Sequence, residues 1–128
     1  MHYLLDTNAF LFWISDSPKL SAHARKTIAA STNEMLLSSI SAWEIVTKWQ
    51  LGKLKLPDDP HRLVPKRMLL HRIRELPFAT EHALRIANLP MHHGDPFDRA
   101  IIAQALANKL VVITSDERFE AYGVRIIA

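Results

Sequence analysis

Five carboxylates in this chain stand where a carboxylate is hard to place without a task. Asp6 directly follows the short apolar run HYLL, and Asp116 follows the run LVVIT after a single serine. Glu44 lies between Trp43 and Ile45 inside an apolar helical segment. Asp98 opens the stretch DRAIIAQALA, and Asp95 stands three residues before it. Each admits a plain structural reading: Asp6 and Asp98 as helix caps or first-turn acids, Glu44 on an exposed helical face, Asp116 as a helix opener. Gathered in one place they repel one another, and burial penalises each of them. A hard divalent cation removes both objections. Magnesium takes oxygen ligands at about 2.1 Å, keeps several waters and works beside phosphates. Such a centre can generate a hydroxide-like nucleophile and stabilise the leaving oxygen of an in-line phosphoryl displacement. These residue types therefore point to metal-dependent phosphodiester hydrolysis.

The elements that must position them follow from apolar periodicity. HYLL, EMLLSS, RIRELP, LVVIT and VRIIA read as short strands, the clearest being LVVIT. Helices are expected from about Asp6 through AFLFWI, over SAHARKTIAAS capped by Ser21, and over SISAWEIVTKWQLGK, with Ile40, Trp43, Val46 and Leu51 near helical spacing. Three more are expected: over His61 to Leu70 with a break or kink near Pro65, over EHALRIANL capped by Thr80, and over RAIIAQALANK. SDERFEAYG reads as a short helix ending at Gly123, and Ser38, Ser39 and Ser41 as a capping cluster. Apolar strands alternating with helices predict an α/β fold, a mostly parallel sheet covered on both faces. In such a sheet ligands bind at the carboxyl ends of the strands, where Asp6 and Asp116 both fall.

With 128 residues the chain suits one domain, residues 1–128, large enough for a core of its own. The absence of cysteine excludes a disulfide scaffold, a thiolate zinc site and a cysteine nucleophile. The start, MHYLLDTNAFLFWI, has no basic leader and carries Asp6 within its apolar run, which argues against a signal peptide. No run approaches the ~18 apolar residues of a membrane span. The expected compartment is the cytoplasm, with no membrane partner. The net charge of +3 is compatible with simple solubility. With several acids sequestered in one site, the remaining surface is more basic still and suits a polyanion.

LLDTNAFLFW, SSISAWEI, HGDPFDRAIIAQA and LVVITSDERF, in this order, resemble the PIN-domain nucleases of the VapC toxin type. The resemblance runs from Tyr3 to Val124 and is most specific in DPFDRAIIAQA. It implies a three-layer α/β/α sandwich, a PIN-like fold, and a ribonuclease activity that depends on Mg²⁺ or Mn²⁺. It aligns Asp6, Glu44, Asp98 and Asp116 with the family's acidic quartet. Asp6, Asp98 and Asp116 are then the metal ligands, and Glu44 holds or orients a water. Asp95, Asn8 and Thr114 fall at supporting polar positions. The resemblance also implies a small cognate antitoxin that blocks the site, often with an arginine, and a homodimer. Water attack in line, with no 2′-hydroxyl step, predicts products carrying a 5′-phosphate. Arg99, Lys48 and the basic segment with Arg62, Lys66, Arg67, Arg72 and Arg74 are candidates to guide an RNA backbone. That segment is equally well read as a solvated face.

Two other enzyme readings have less support in the residues. Adjacent His92 and His93 suggest zinc, but no further nitrogen or sulfur ligand is suitably spaced, so they read as a loop at the site's rim. A phosphatase with an aspartyl nucleophile wants a second acid two residues after the first, where Asn8 stands. Trp13, Trp43 and Trp49 read as core or interface rather than base-stacking platforms, and the faces of LFWI and SAWEIVTKW as antitoxin or dimer surfaces. The remaining alternative is a catalytically silent RNA- or protein-binding domain that keeps the same fold.

Overall fold

A computed structural model describes all residues, Met1–Ala128. Five strands, β1 (His2–Leu5), β2 (Glu34–Ser38), β3 (Ile73–Leu76), β4 (Val111–Ile113) and β5 (Ile126–Ile127), form one sheet in the order β3-β2-β1-β4-β5. Every pairing is parallel, so the sheet has no antiparallel edge. Six α-helices pack around it: α1 (Thr7–Ile14), α2 (Ala22–Ala29), α3 (Ser39–Gln50), α4 (Pro60–Leu70), α5 (Thr80–Arg85) and α6 (Pro96–Asn108). Two short 3-10 segments occupy Ile86–Asn88 and Glu117–Tyr122.

Strand alternation splits the core into two layers. Tyr3 and Leu5, Met35 and Leu37, and Val111 and Ile113 point to the side of Phe10, Ala24, Ile28 and Val64. Leu4 and Val112 point the other way, against Ala100, Ile101, Ala105 and Phe119. Both faces are apolar because both are covered, so these strands lack the apolar–polar alternation of a half-exposed sheet. The expected sandwich is therefore present, and its sheet is wholly parallel.

Local chemistry explains most element ends. Ser21 caps α2 by accepting from the Ala24 amide, and Ser38 caps α3 by accepting from Ile40. Gly123, at φ +83°, ends the 3-10 segment in a left-handed conformation that an L side chain adopts only with strain.

Three expectations are corrected. Helix α4 runs unbroken through Pro65, which sits inside it and forgoes one amide bond while Leu63 and Val64 hold the segment to the core. Thr80 is the first helical residue of α5 rather than its cap. The Ala79 position precedes it, and the amide of Ala79 is taken by His82 Nδ1 at 2.9 Å. The buried face of α3 is Ile40, Ser41, Glu44 and Ile45, while Trp43 and Leu51 are exposed. That helix is turned so that a carboxylate, not a tryptophan, faces inward.

No helix is long and apolar enough to cross a membrane. Ile101 is fully buried on α6 against the sheet. Truncating it should cost about 2–5 kcal/mol by cavity formation. Ile101→Ala should therefore lower the urea midpoint substantially with an unchanged m-value, and a shift within error would contradict this account of the core.

Candidate metal-binding active site

The strand order places the chemistry. β1 and β4 are neighbours in a parallel sheet, so the residues that follow them emerge side by side; the Asp6 amide still donates to the Ile113 carbonyl at 3.1 Å. Asp6 is the N-cap of α1, its carboxylate accepting from the Ala9 amide at 2.7 Å. Asp116, just past β4, caps the following 3-10 segment by accepting from the Arg118 amide. Glu44 arrives from α3, and Asp98 from the first turn of α6. Asp95 is the N-cap of α6 and accepts from the Phe97 and Asp98 amides at 2.8 and 3.1 Å.

These acids line one cleft of about 400 Å³ that contains no hydrophobic side chain. Asn8, Thr7, Lys48, His93 and Arg118 also reach it. Larger hollows lie elsewhere on the surface, but they lack this convergence of acids.

The carboxylates do not share one environment. Burial, with the charges of Glu44 and Asp116 in support, pushes the Asp6 carboxyl up to about 6, although bonds from Thr114 and the Ala9 amide pull it down. Burial also raises Asp98, to about 7, helped by repulsion from Asp95 and Glu44. Asp116 is lowered to about 2, chiefly because the Arg118 side chain grips its carboxylate, with contacts of 3.0 and 2.9 Å. Glu44 is almost wholly buried and pairs with Lys48 one turn along α3. It also accepts from the Thr7 hydroxyl at 2.6 Å. Thr7 has a single proton, so its contact with Ser41 Oγ at 2.9 Å is best filled by the Ser41 hydroxyl donating to it.

The donor set suits a hard divalent cation: several carboxylate oxygens from different elements, no sulfur, and a surplus of negative charge in a confined space. One further group meets them there. Nε2 of His93 lies 2.9 Å from Asp116 Oδ2 and 3.0 Å from Asp98 Oδ2. The rim loop thus carries a side chain to the centre of the cleft.

Asp6, Glu44, Asp95, Asp98, Asp116 and Asn8 accordingly come together in the cleft, and Thr114 stands behind them, its Oγ1 accepting from the Asp116 amide and its hydroxyl close enough to lower the Asp6 carboxyl. Arg99 does not join them. Its guanidinium is engaged by the carbonyls of Pro90, Ile86 and Leu89 and by Tyr122 Oη, so it ties down the loop before α6 instead of facing a phosphate. Arg62 and Arg74 are spent on Asp58 and Glu34, and no residue of that basic segment lines the cleft. Sequence reasoning missed four participants, among them Arg118, which no motif singled out. Thr7 braces Glu44 and Ser41 braces Thr7, and only the DTN and SISAWE contexts hinted at them. His93 is signalled by the HH pair, which by sequence reads only as a loop at the site's rim.

The chain matches the PIN domain family over residues 3–124, and it belongs to that family. It is 39% identical over 70 residues to Ribonuclease VapC16 of Mycobacterium tuberculosis. That alignment spans 52% of this chain and 48% of the relative, so this curated relative is matched over about half its length. In three dimensions it is similar to DNA-bound VapBC of Salmonella typhimurium, with TM-score 0.72 and 25% identity over 99% of this chain and 97% of that one. A VapBC2 structure of Rickettsia felis, bound to a promoter DNA fragment, shares the fold at TM-score 0.72 and 19% identity, over 99% and 98% of the two chains.

The electrostatics lead to a test on the metal-free protein. Because the folded-state pKa of Asp6 is raised, its contribution favours folding fully below about pH 3.8 and is lost as the pH rises through about 6. Asparagine stays neutral and still caps a helix well. In EDTA at pH 7.5, Asp6→Asn should melt higher by about 1–2 kcal/mol, on the order of 5 °C in Tm. At pH 4 the gain should vanish. An equal difference at both pH values would show that carboxylate desolvation and repulsion are not its source.

Proposed function

We propose that this PIN-domain protein is a metal-dependent endoribonuclease that hydrolyses RNA phosphodiester bonds and serves as the toxin of a toxin–antitoxin pair. The observation that carries the reading is the convergence of Asp6, Glu44, Asp98 and Asp116 from four separate elements on one polar cleft. The likeness to Ribonuclease VapC16 supports the choice of RNA, and the likeness to VapBC structures supports a cognate antitoxin as partner.

Asp6, Asp98 and Asp116 are the residues that would hold Mg²⁺ or Mn²⁺, with Asp95 and Thr114 fixing their orientation. Bound there, such an ion would supply Lewis-acid activation of water and neutralisation of charge on the leaving oxygen. Glu44, braced by Thr7, is placed to accept a hydrogen bond from the attacking water. Lys48 and Arg118 are the two cations at the mouth, each already on a carboxylate. As the cations that line the cleft, they are the groups best placed to meet a phosphate there. Cleavage needs no 2′-hydroxyl in this scheme, so the products carry 5′-phosphates. The surface around the cleft, including exposed Trp43 stacked edge-on against Phe97 at 4.9 Å, is a natural seat for the antitoxin. Homodimerisation and a cytoplasmic setting complete the reading.

Pooled total RNA incubated with the wild-type protein should be cut in Mg²⁺ and not in EDTA, giving 5′-phosphate ends. Asp98→Asn should lower the rate by at least about 10²-fold, in the range expected when a group central to transition-state stabilisation is lost. Wild-type rates in that variant with Mg²⁺ restored would show that the site is misassigned. Metal-independent RNA retention without cutting would favour the silent binding domain.

A further inference from the structure

We infer that His93 is a positioning residue for the acidic site: a neutral imidazole, protonated at Nε2, that orients Asp116 and Asp98 for a cation without ligating it. The inference rests on the metal-site reading above. By distance alone the opposite role is open, since His93, Asp98 and Asp116 each offer an atom within 4.8 Å of the others, close enough to share an ion.

The hydrogen-bond network decides between the two roles. The backbone amide of Asp95 donates to His93 Nδ1 at 3.1 Å. An amide only donates, so Nδ1 presents a lone pair there and carries no proton. The proton of the neutral ring is therefore on Nε2, the nitrogen 2.9 Å from Asp116 Oδ2 and 3.0 Å from Asp98 Oδ2. A protonated Nε2 has no lone pair for a metal. Ligation would require moving the proton to Nδ1 and setting it against the Asp95 amide.

The ring is held in that pose from several sides. Its side chain is 3% exposed, and it meets Phe119 edge-on. The amides of His92 and His93 both donate to Tyr122 Oη, at 3.1 and 2.8 Å. Arg99 bonds the same oxygen at 3.2 Å and gathers the carbonyls of the preceding turn. The rim loop is thus pinned to the 3-10 segment that follows Asp116. Asp98 and Asp116 belong to different elements, and the imidazole joins them. Arg118 also grips Asp116, but its side chain is 60% exposed to solvent, whereas that of His93 is buried. Hydrogen bonds of this kind to ligating groups are typically worth 10–100-fold in metal affinity.

The test reads metal binding, not cleavage. Mn²⁺ titration of the full chain, followed by electron paramagnetic resonance, compares wild type with His93→Leu, His93→Gln and Asp98→Asn, each checked for folding by circular dichroism. His93→Leu should bind Mn²⁺ about 10–100-fold more weakly. His93→Gln, which retains an N–H donor of similar reach, should recover most of the loss. In ¹⁵N spectra of the wild type, His93 should show the Nε2-protonated tautomer both without and with saturating Mg²⁺. Transfer of that proton to Nδ1 on adding Mg²⁺ would overturn the inference, and this holds even if the leucine variant fails to fold. Unchanged Mn²⁺ affinity in folded His93→Leu, beside a loss in Asp98→Asn, overturns the role of His93 alone. Unchanged affinity in both variants overturns the metal-site reading and this inference with it.

Discussion

Mutual repulsion among carboxylates confined to one cleft is the constraint around which this molecule is arranged. Carboxylates are comfortable in water and uncomfortable together in a hollow, and the protein holds five of them at one end of a sheet. Their neighbours divide into two kinds. Some soften the repulsion from the outside, as Arg118 does for Asp116 and Lys48 for Glu44. Others fix direction: the Ala9 amide and Thr114 for Asp6, Thr7 for Glu44, the first turn of α6 for Asp95, and His93 for Asp116 and Asp98. Burial first, and repulsion from neighbouring carboxylates after it, leave Asp6 and Asp98 with pKa values far above the ordinary carboxylate range.

Such a cluster destabilises the chain that carries it, and the architecture supplies the compensation. A wholly parallel sheet buries both of its faces, so short strands such as Val111–Ile113 contribute side chains to two aliphatic layers. The same sheet gives the cluster its geometry. Neighbouring parallel strands end at one rim, and helices that begin there aim their N-termini inward, where a carboxylate is favoured by unpaired amides and the helix dipole. Asp6 and Asp95 use that position as caps, so fold stability and site geometry are served by the same hydrogen bonds.

The basic residues are also sorted by place. Arg62 and Arg74 are paired on the surface, and Arg99 is committed to backbone carbonyls and Tyr122. Only Lys48 and Arg118 stand at the cleft. A net charge of +3 therefore describes the surface poorly, because its distribution, not its sum, decides what a phosphate backbone meets.

Much of this was legible in the sequence for a simple reason: strands and helices are local, and so are the residues at their ends. HYLL followed by Asp6, LVVIT followed by Asp116, and DPFD before an apolar helix each announce a carboxylate at an element's terminus. Given the βα alternation, the parallel sheet and its active rim follow. The rotation of α3, which turns Glu44 inward and Trp43 out, depends on what packs beside it. The partners of Arg99 lie on other segments, and apart from the loop leading into α6 nothing in its own neighbourhood names them. His93 is the sharpest case. Its identity is written in the chain, but its tautomer is set by an amide two residues on, and its task by two carboxylates that only the folded sheet brings within 3.0 Å of it. Composition and order thus determined which groups take part, while contacts between distant segments decided how each one is oriented, because direction and burial are properties of the packed chain.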